Sequence, residues 1–230
     1  MKKLVILTGA GISQESGIKT FRDSNGLWEN HKVEDVASPE GWRKNPELVL
    51  EFYNQRRRQL AEVEPNEAHK LLVKLEEKYD VYIITQNVDD LHERAGSKKV
   101  LHLHGQLNLA RSTGSSKLIK DIGYNDIKLG DKCEEGHQLR PHIVWFGEGV
   151  PNMFTAEDLA YNADIFVIIG TSMVVYPAAG LIMFTDKNAP IYVIDPNEIS
   201  LRGRKDTTTF IKKKATEGVK ELYDILMKQD

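Results

Sequence analysis

With 230 residues, 28% charged and 40% hydrophobic, the chain has material for one sizeable core and room for a small lobe beside it. A net charge of −3 argues against general nucleic-acid affinity, and the absence of any apolar run near the ~20 residues of a membrane span excludes a membrane helix. A single cysteine, Cys133, rules out an intrachain disulfide and fits a reducing, cytoplasmic setting.

The first predicted strand covers residues 3–8. Its apolar core is too short for a secretory signal, and it runs directly into Gly9, Ala10 and Gly11. A buried strand followed by a Gly-x-Gly turn is how open α/β sheets bring backbone N–H groups to a pyrophosphate at a helix N-terminus. Gln14 replaces the third glycine of the dehydrogenase fingerprint, which argues against a nicotinamide dehydrogenase. Residues 24–64 leave this turn as a cofactor loop and a helical insertion, with a helix predicted over 46–62 and another over 66–79. Strands are predicted over 81–85 and 100–103. Residues 106–139 are polar and lack a clear period, so they read as a small lobe, packed by Ile119, Ile122, Tyr124, Ile127 and Leu129. Further strands are expected over 143–146, 165–170 and 191–195, and a helix over 217–227. Short runs rich in Val and Ile, alternating with helices, predict an α/β fold: a Rossmann-like, doubly wound parallel sheet with a small inserted lobe, residues 1–230 forming one domain.

Candidate chemistry gathers at predicted strand ends, which face the ligand crevice in open α/β sheets. Gln86 and Asn87 offer donors and acceptors suited to ribose hydroxyls or a carboxamide, and Asp89 can accept an amide N–H. Taken alone, this tract would also serve as a helix N-cap. His102 and His104 share a strand face, so alternation cannot choose a base between them. An imidazole with an ordinary pKa near ~6.5 suits proton removal at neutral pH. On the helix over 46–62, Tyr53 and Arg56 share a face, whereas Arg57 and Arg58 read as a solvated basic face.

Gly9 to Ser13, continued through Ser16 to Asp23, resembles the NAD-binding opening of the sirtuins, NAD-dependent protein-lysine deacylases, and the likeness extends over almost the whole chain. The resemblance implies NAD as a consumed co-substrate, held by Gly9, Ala10, Gly11, Ile12, Thr20, Phe21, Arg22, Gln86, Asn87 and Asp89. It further implies phosphate contacts from Gly170, Thr171 and Ser172, the adenine ribose on Asp195 where many members have asparagine, and Ala215 near the adenine. His104, immediately before Gly105, becomes the catalytic base, with Asn87 positioning the nicotinamide ribose and His102 structural. Arg140 to Glu148 is similar to the strand that lines the acyl-lysine tunnel, so Val144, Phe146, Gly147 and Glu148 are expected at the substrate, and Val175 to Ala178 resembles the segment on the peptide's other side, which adds Val175.

The Tyr53/Arg56 spacing, with the small residue Ala37, resembles class III members, which remove succinyl and malonyl as well as acetyl groups. An arginine and a tyrosine hydroxyl can together bind a terminal carboxylate. The implied products are free lysine, nicotinamide and O-acyl-ADP-ribose, and the implied partners are acyl-lysine proteins, met by a monomer. Most sirtuins bind zinc on two C-x-x-C pairs, but here the interval holds only Cys133 and His137. Structural zinc wants four good ligands, so no metal is expected. The alternatives are protein mono-ADP-ribosyl transfer and a non-catalytic NAD-sensing module; the presence of Gln86, Asn87, Asp89 and His104 weighs against the latter.

Overall fold

The computed structural model describes residues 1–19, 27–28, 31–199, 201 and 204–229 of the chain. Its elements in order are β1 (Lys3–Thr8), β2 (Leu27–Trp28), β3 (His31–Lys32), α1 (Val33–Val36), α2 (Pro39–Lys44), α3 (Pro46–Glu62), α4 (Glu67–Lys74), β4 (Asp80–Thr85), α5 (Leu91–Ala95), β5 (Val100–His102), β6 (Gly105–Ser112), β7 (Ile119–Asp121) and β8 (Leu139–Ile143). They continue with α6 (Met153–Tyr161), β9 (Ile165–Ile169), β10 (Ile191–Ile194), β11 (Thr208–Ile211) and α7 (Ala215–Lys228). Six strands make a parallel sheet in the order β11-β10-β9-β1-β4-β5, and three make an antiparallel sheet in the order β7-β6-β8.

Alternation along the strands explains the layering. Leu4 and Ile6 of β1 face the cluster formed with α4 and α7, where Leu72, Val219, Leu222 and Leu226 are fully buried. Val5 and Leu7 face the opposite cluster, with Ala156 and Ala160 of α6 and Leu181 of the following 3-10 turn. Helices on both faces account for the unbroken apolar runs. The N-terminus of α7 is tied back to the glycine turn. Glu15 accepts from the Thr216 backbone N–H at 2.9 Å and from its hydroxyl at 2.8 Å.

The predicted strand over 143–146 is corrected. Its first residue ends β8 in the antiparallel sheet, and the rest runs on as a bridging segment outside the parallel sheet. There the Val144 N–H reaches the His104 carbonyl and the Phe146 N–H the Ala37 carbonyl. Its apolar character serves a third cluster, where Ile143 and Trp145 pack on Val49, Phe52 and Tyr53 of α3. β11 is a strand the sequence pattern conceals, because Thr208 to Phe210 are incompletely buried at the sheet edge.

The lobe over 106–139 is the antiparallel sheet. Ile127 is buried with Leu50, Ala110 and Leu139, and Ile122 packs against them, but Ile119, Tyr124 and Leu129 are exposed. Polar side chains of α3 supply the missing attachment. Asn54 donates to the Ile127 carbonyl and accepts from its N–H, both at 2.9 Å. Arg57 is fully buried, not solvated: it donates to the Leu107 carbonyl and, at 2.7 Å, to Asn54 Oδ1. Arg58 keeps the exposure expected of it and pairs with Asp126 and Glu51.

Candidate functional site

The strand order reverses beside β1: the chain fills β4 and β5 on one side, then returns to β9, β10 and β11 on the other. Crevices at such switch points take ligands. Here the turns after β1 and β9 are pressed together, with the Gly11 N–H on the Gly170 carbonyl at 2.9 Å. A Cβ on Gly11 would lie 2.6 Å from Gly170 Cα, and Gly170 itself has φ +61°, so both positions demand glycine. The N–H groups of Gly9, Gly11, Ile12 and Ser13 are taken by backbone carbonyls. Among the described residues, those of Ala10, Thr171 and Ser172 have no intrachain acceptor, and all three residues line the cavity. Donors of this kind fit a diphosphate.

This cavity has a volume of about 1110 Å³ and runs along the whole crevice. Its lining brings together nearly every residue the sequence singled out: Gly9, Ala10, Gly11, Gln86, Asn87, Asp89, His104, Gly170, Thr171, Ser172, Asp195 and Ala215, and also Ala37, Tyr53, Arg56, Val144, Phe146, Gly147, Glu148 and Val175. Ile12 is the exception. Its side chain is buried in the core cluster beside β1 and does not line the cavity. Thr20, Phe21 and Arg22 lie outside the described residues.

The tract after β4 is held rigidly. Gln86 donates to Thr171 Oγ1 at 3.0 Å, and Asn87 Nδ2 reaches both the Gly9 carbonyl and Ser13 Oγ at 3.2 Å. Ser13, which the sequence reading missed, donates in turn to Asp89 at 2.9 Å. Burial raises the Asp89 carboxyl to about 6, against the Leu91 N–H and the Ser13 hydroxyl, which favour its charge. Asp195 is buried at the end of β10, with Oδ1 accepting from the Asn197 N–H at 2.9 Å.

His102 and His104 reach successive carbonyls of this tract. His104 Nδ1 lies 3.0 Å from the Gln86 carbonyl, which fixes the tautomer with the proton there and leaves Nε2 as a proton acceptor. Burial lowers the His104 pKa, only partly opposed by that carbonyl, so the ring is neutral at neutral pH. His102 has both nitrogens engaged, Nδ1 on the Asn87 carbonyl and Nε2 on Glu93. The geometry thereby separates two histidines that strand alternation could not.

α3 supplies another part of the lining. The Trp145 indole N–H donates to the Tyr53 hydroxyl at 3.1 Å, orienting a phenol that burial keeps well above its usual pKa. One turn on, the Arg56 guanidinium lies over the Phe52 ring at 3.3 Å and donates to the Phe52 carbonyl. Glu148 lines the cavity but is also a hub. Burial would raise its carboxyl, yet Arg140 and the Trp145 N–H, with the charge of Arg111, hold it below the usual range.

In the lobe, the Cys133 thiol donates to Ser112 Oγ at 3.3 Å. Among the described residues, no three His, Cys, Asp or Glu side chains gather as metal ligands. This donor set does not fit a tetrahedral zinc.

Set against known proteins, residues 9–177 match the family model described as the Sir2 family. An NAD-dependent protein deacylase of Bacteroides thetaiotaomicron is 51% identical over 232 residues, 99% of either chain. One from Helicobacter pylori is 60% identical over 196 residues, 85% of either chain. The crystal structure of a Sir2 homolog–NAD complex superposes with a TM-score of 0.88 at 40% identity, covering 99% of this chain and 90% of that one. A Sir2–p53 peptide–NAD+ structure superposes at 0.81, with 31% identity over 99% and 94%.

Proposed function

The chain belongs to the Sir2 family and is an NAD-dependent protein deacylase, and from that premise we propose that its pocket accepts lysines carrying acidic acyl groups, succinyl and malonyl, as well as acetyl. The observation that carries this reading is the pair Tyr53 and Arg56, set on one face of α3 and lining the same cavity as His104. A carboxylate taken out of water needs charge-assisted partners, and a guanidinium beside a hydroxyl provides them. Ala37 contributes only a methyl group to the lining, which leaves room beside them.

When bound, NAD supplies the ribose carbon that accepts the acyl oxygen as nicotinamide leaves. In this reading Asn87 orients the ribose, and Asp89, held by Ser13, receives the nicotinamide amide. His104 takes a ribose hydroxyl proton at Nε2, its ring braced by the Gln86 carbonyl. Ala10, Thr171 and Ser172 offer their N–H groups to the diphosphate, and Asp195 accepts from the adenine ribose. The lobe needs no structural zinc, since Asn54 and Arg57 fasten it to α3.

The test is turnover of matched acetyl-, succinyl- and malonyl-lysine peptides with NAD, read as kcat/KM for each. Comparable or higher values for the acidic peptides support the proposal. Turnover of acetyl-lysine alone would overturn it while leaving the deacylase intact.

A further inference from the structure

Beside the cavity, behind Asn87, lies His102, a residue the deacylation chemistry does not use. Its ring is buried, with Nδ1 3.1 Å from the Asn87 carbonyl and Nε2 2.7 Å from Glu93 Oε1. A carbonyl and a carboxylate can only accept, so the one protonation state that makes both bonds is the imidazolium. We propose that His102, held as a cation by Glu93 of α5, is a positioning residue that clamps the Asn87 carbonyl and so keeps the Asn87 side chain aimed into the cavity. The proposal rests on reading Asn87 as the residue that orients the ribose.

The opposite side of Asn87 is braced without any titrating proton. Its N–H donates to Thr85 Oγ1 at 3.0 Å, which itself accepts from Thr8 Oγ1 at 2.9 Å. Thr8 Oγ1 lies 3.1 Å from Nε2 of His92, a ring that burial keeps neutral. The main chain of Asn87 is therefore gripped between two threonines and a histidine, and only the histidine grip depends on pH.

The charges facing His102 favour its proton. Glu93 touches it from α5, and Asp89 acts from the tract itself. His92 of α5 and His142 of β8 also face it, both held low chiefly by burial, and Asn152 reaches the His102 carbonyl with a neutral amide. Burial is the largest single influence and opposes the His102 charge, but the Glu93 bond and charge, the Asn87 carbonyl and the Asp89 charge together outweigh it, and the net shift is upward from the ordinary value. As pH rises through that raised value the ring loses one proton. The proton facing the carboxylate is the more strongly held, being charge-assisted. Nδ1 then presents a lone pair to the Asn87 carbonyl, and the clamp becomes a repulsion.

The experiment has two readouts. Side-chain ¹⁵N resonances of the free protein should show both His102 nitrogens protonated at neutral pH, and Glu93→Gln should lower the midpoint by about one pH unit. Turnover of an acetyl-lysine peptide, whose neutral acyl group keeps the test independent of acyl preference, should show an alkaline limb that moves with that midpoint. His102→Asn places a non-titrating amide donor where Nδ1 stood, so it should retain most of kcat and lose the limb. His102→Leu should lower kcat by about 10- to 100-fold, as misplacement of a reacting geometry does.

A neutral His102 at neutral pH, a limb unmoved in Glu93→Gln, or His102→Asn no better than His102→Leu would each overturn the proposal. If His102→Leu does not fold, the resonances and Glu93→Gln still decide. Asn87→Ala separates the two levels. Full activity in that variant removes the reading of Asn87 itself, whereas its inactivity beside an active His102→Leu removes the clamp alone.

Discussion

The parallel sheet and the antiparallel lobe are held together by different physics. In the sheet, Leu4 to Leu7 and Phe166 to Ile169 have no exposed surface, and each contributes in proportion to the apolar area it hides. In the lobe, three of the expected packing residues, Ile119, Tyr124 and Leu129, are exposed, and attachment falls to buried polar groups such as Asn54 and Arg57. Area-based stability degrades gradually, whereas a buried donor that loses its acceptor costs its whole desolvation at once. α3 is where the two regimes meet, since Tyr53 and Arg56 serve the cavity while Asn54 and Arg57 serve the lobe.

The largest effect is expected at the sheet end. His104→Ala should lower kcat by about 10² to 10⁴-fold, a loss far larger than its effect on stability, because it removes a positioned base. A His102→Ala variant with the greater loss would reverse the assignment. The acidic limb of wild-type turnover should fall near pH 6, where Asp89 takes up its proton and ceases to be a charged acceptor.

Next comes the cavity face of α3. Arg56→Met should cut kcat/KM for succinyl-lysine peptides by at least ~100-fold, since a buried carboxylate is left unpaired. Tyr53→Phe should cost less, about 0.5–1.5 kcal/mol for one hydroxyl, and acetyl-lysine turnover should barely respond to Arg56→Met. Equal losses on both peptides would mean that this face supports the fold and does not read the acyl group.

The lobe face should respond in stability. Asn54→Ala strands the Ile127 N–H and carbonyl and should cost about 2 kcal/mol in denaturant unfolding. Ile6→Val in the sheet should cost about 1 kcal/mol. A smaller loss for Asn54→Ala than for Ile6→Val would erase the distinction between the two regions. The smallest effect is expected from chelators. Dialysis against them should leave activity unchanged, and elemental analysis should find far less than one zinc per chain; stoichiometric retained zinc would implicate Cys133 and His137.

The contrast also governs what the sequence reveals. Continuous apolar runs mark a strand buried on both faces, so β1, β4, β9 and β10 are readable within a residue or so. β6, β7 and β11 are not, because a strand with partly exposed residues mixes polar and apolar types without a clean period. The run from Ile143 to Phe146 misleads for the converse reason: its apolar residues cover α3 instead of filling a sheet. Arg57 was legible only as a charge, since nothing in the chain near it announces the distant Leu107 carbonyl. Motif residues fare better because glycine turns and strand ends impose local demands. Ile12 shows the limit, as a motif position whose side chain points into the core. Ser13 shows the converse, a small polar residue whose purpose becomes visible only when Asp89 arrives beside it.

The bond between Glu15 and Thr216 spans 201 positions of chain. A ribosome therefore delivers the glycine turn long before the helix that braces it. Until α7 is made the crevice lacks Ala215, and the sheet face that α4 shares with α7 is covered only in part. Contacts of such long range form late and slowly. The crevice therefore reaches its complete form only when α7 docks, and until then part of an apolar sheet face stays open.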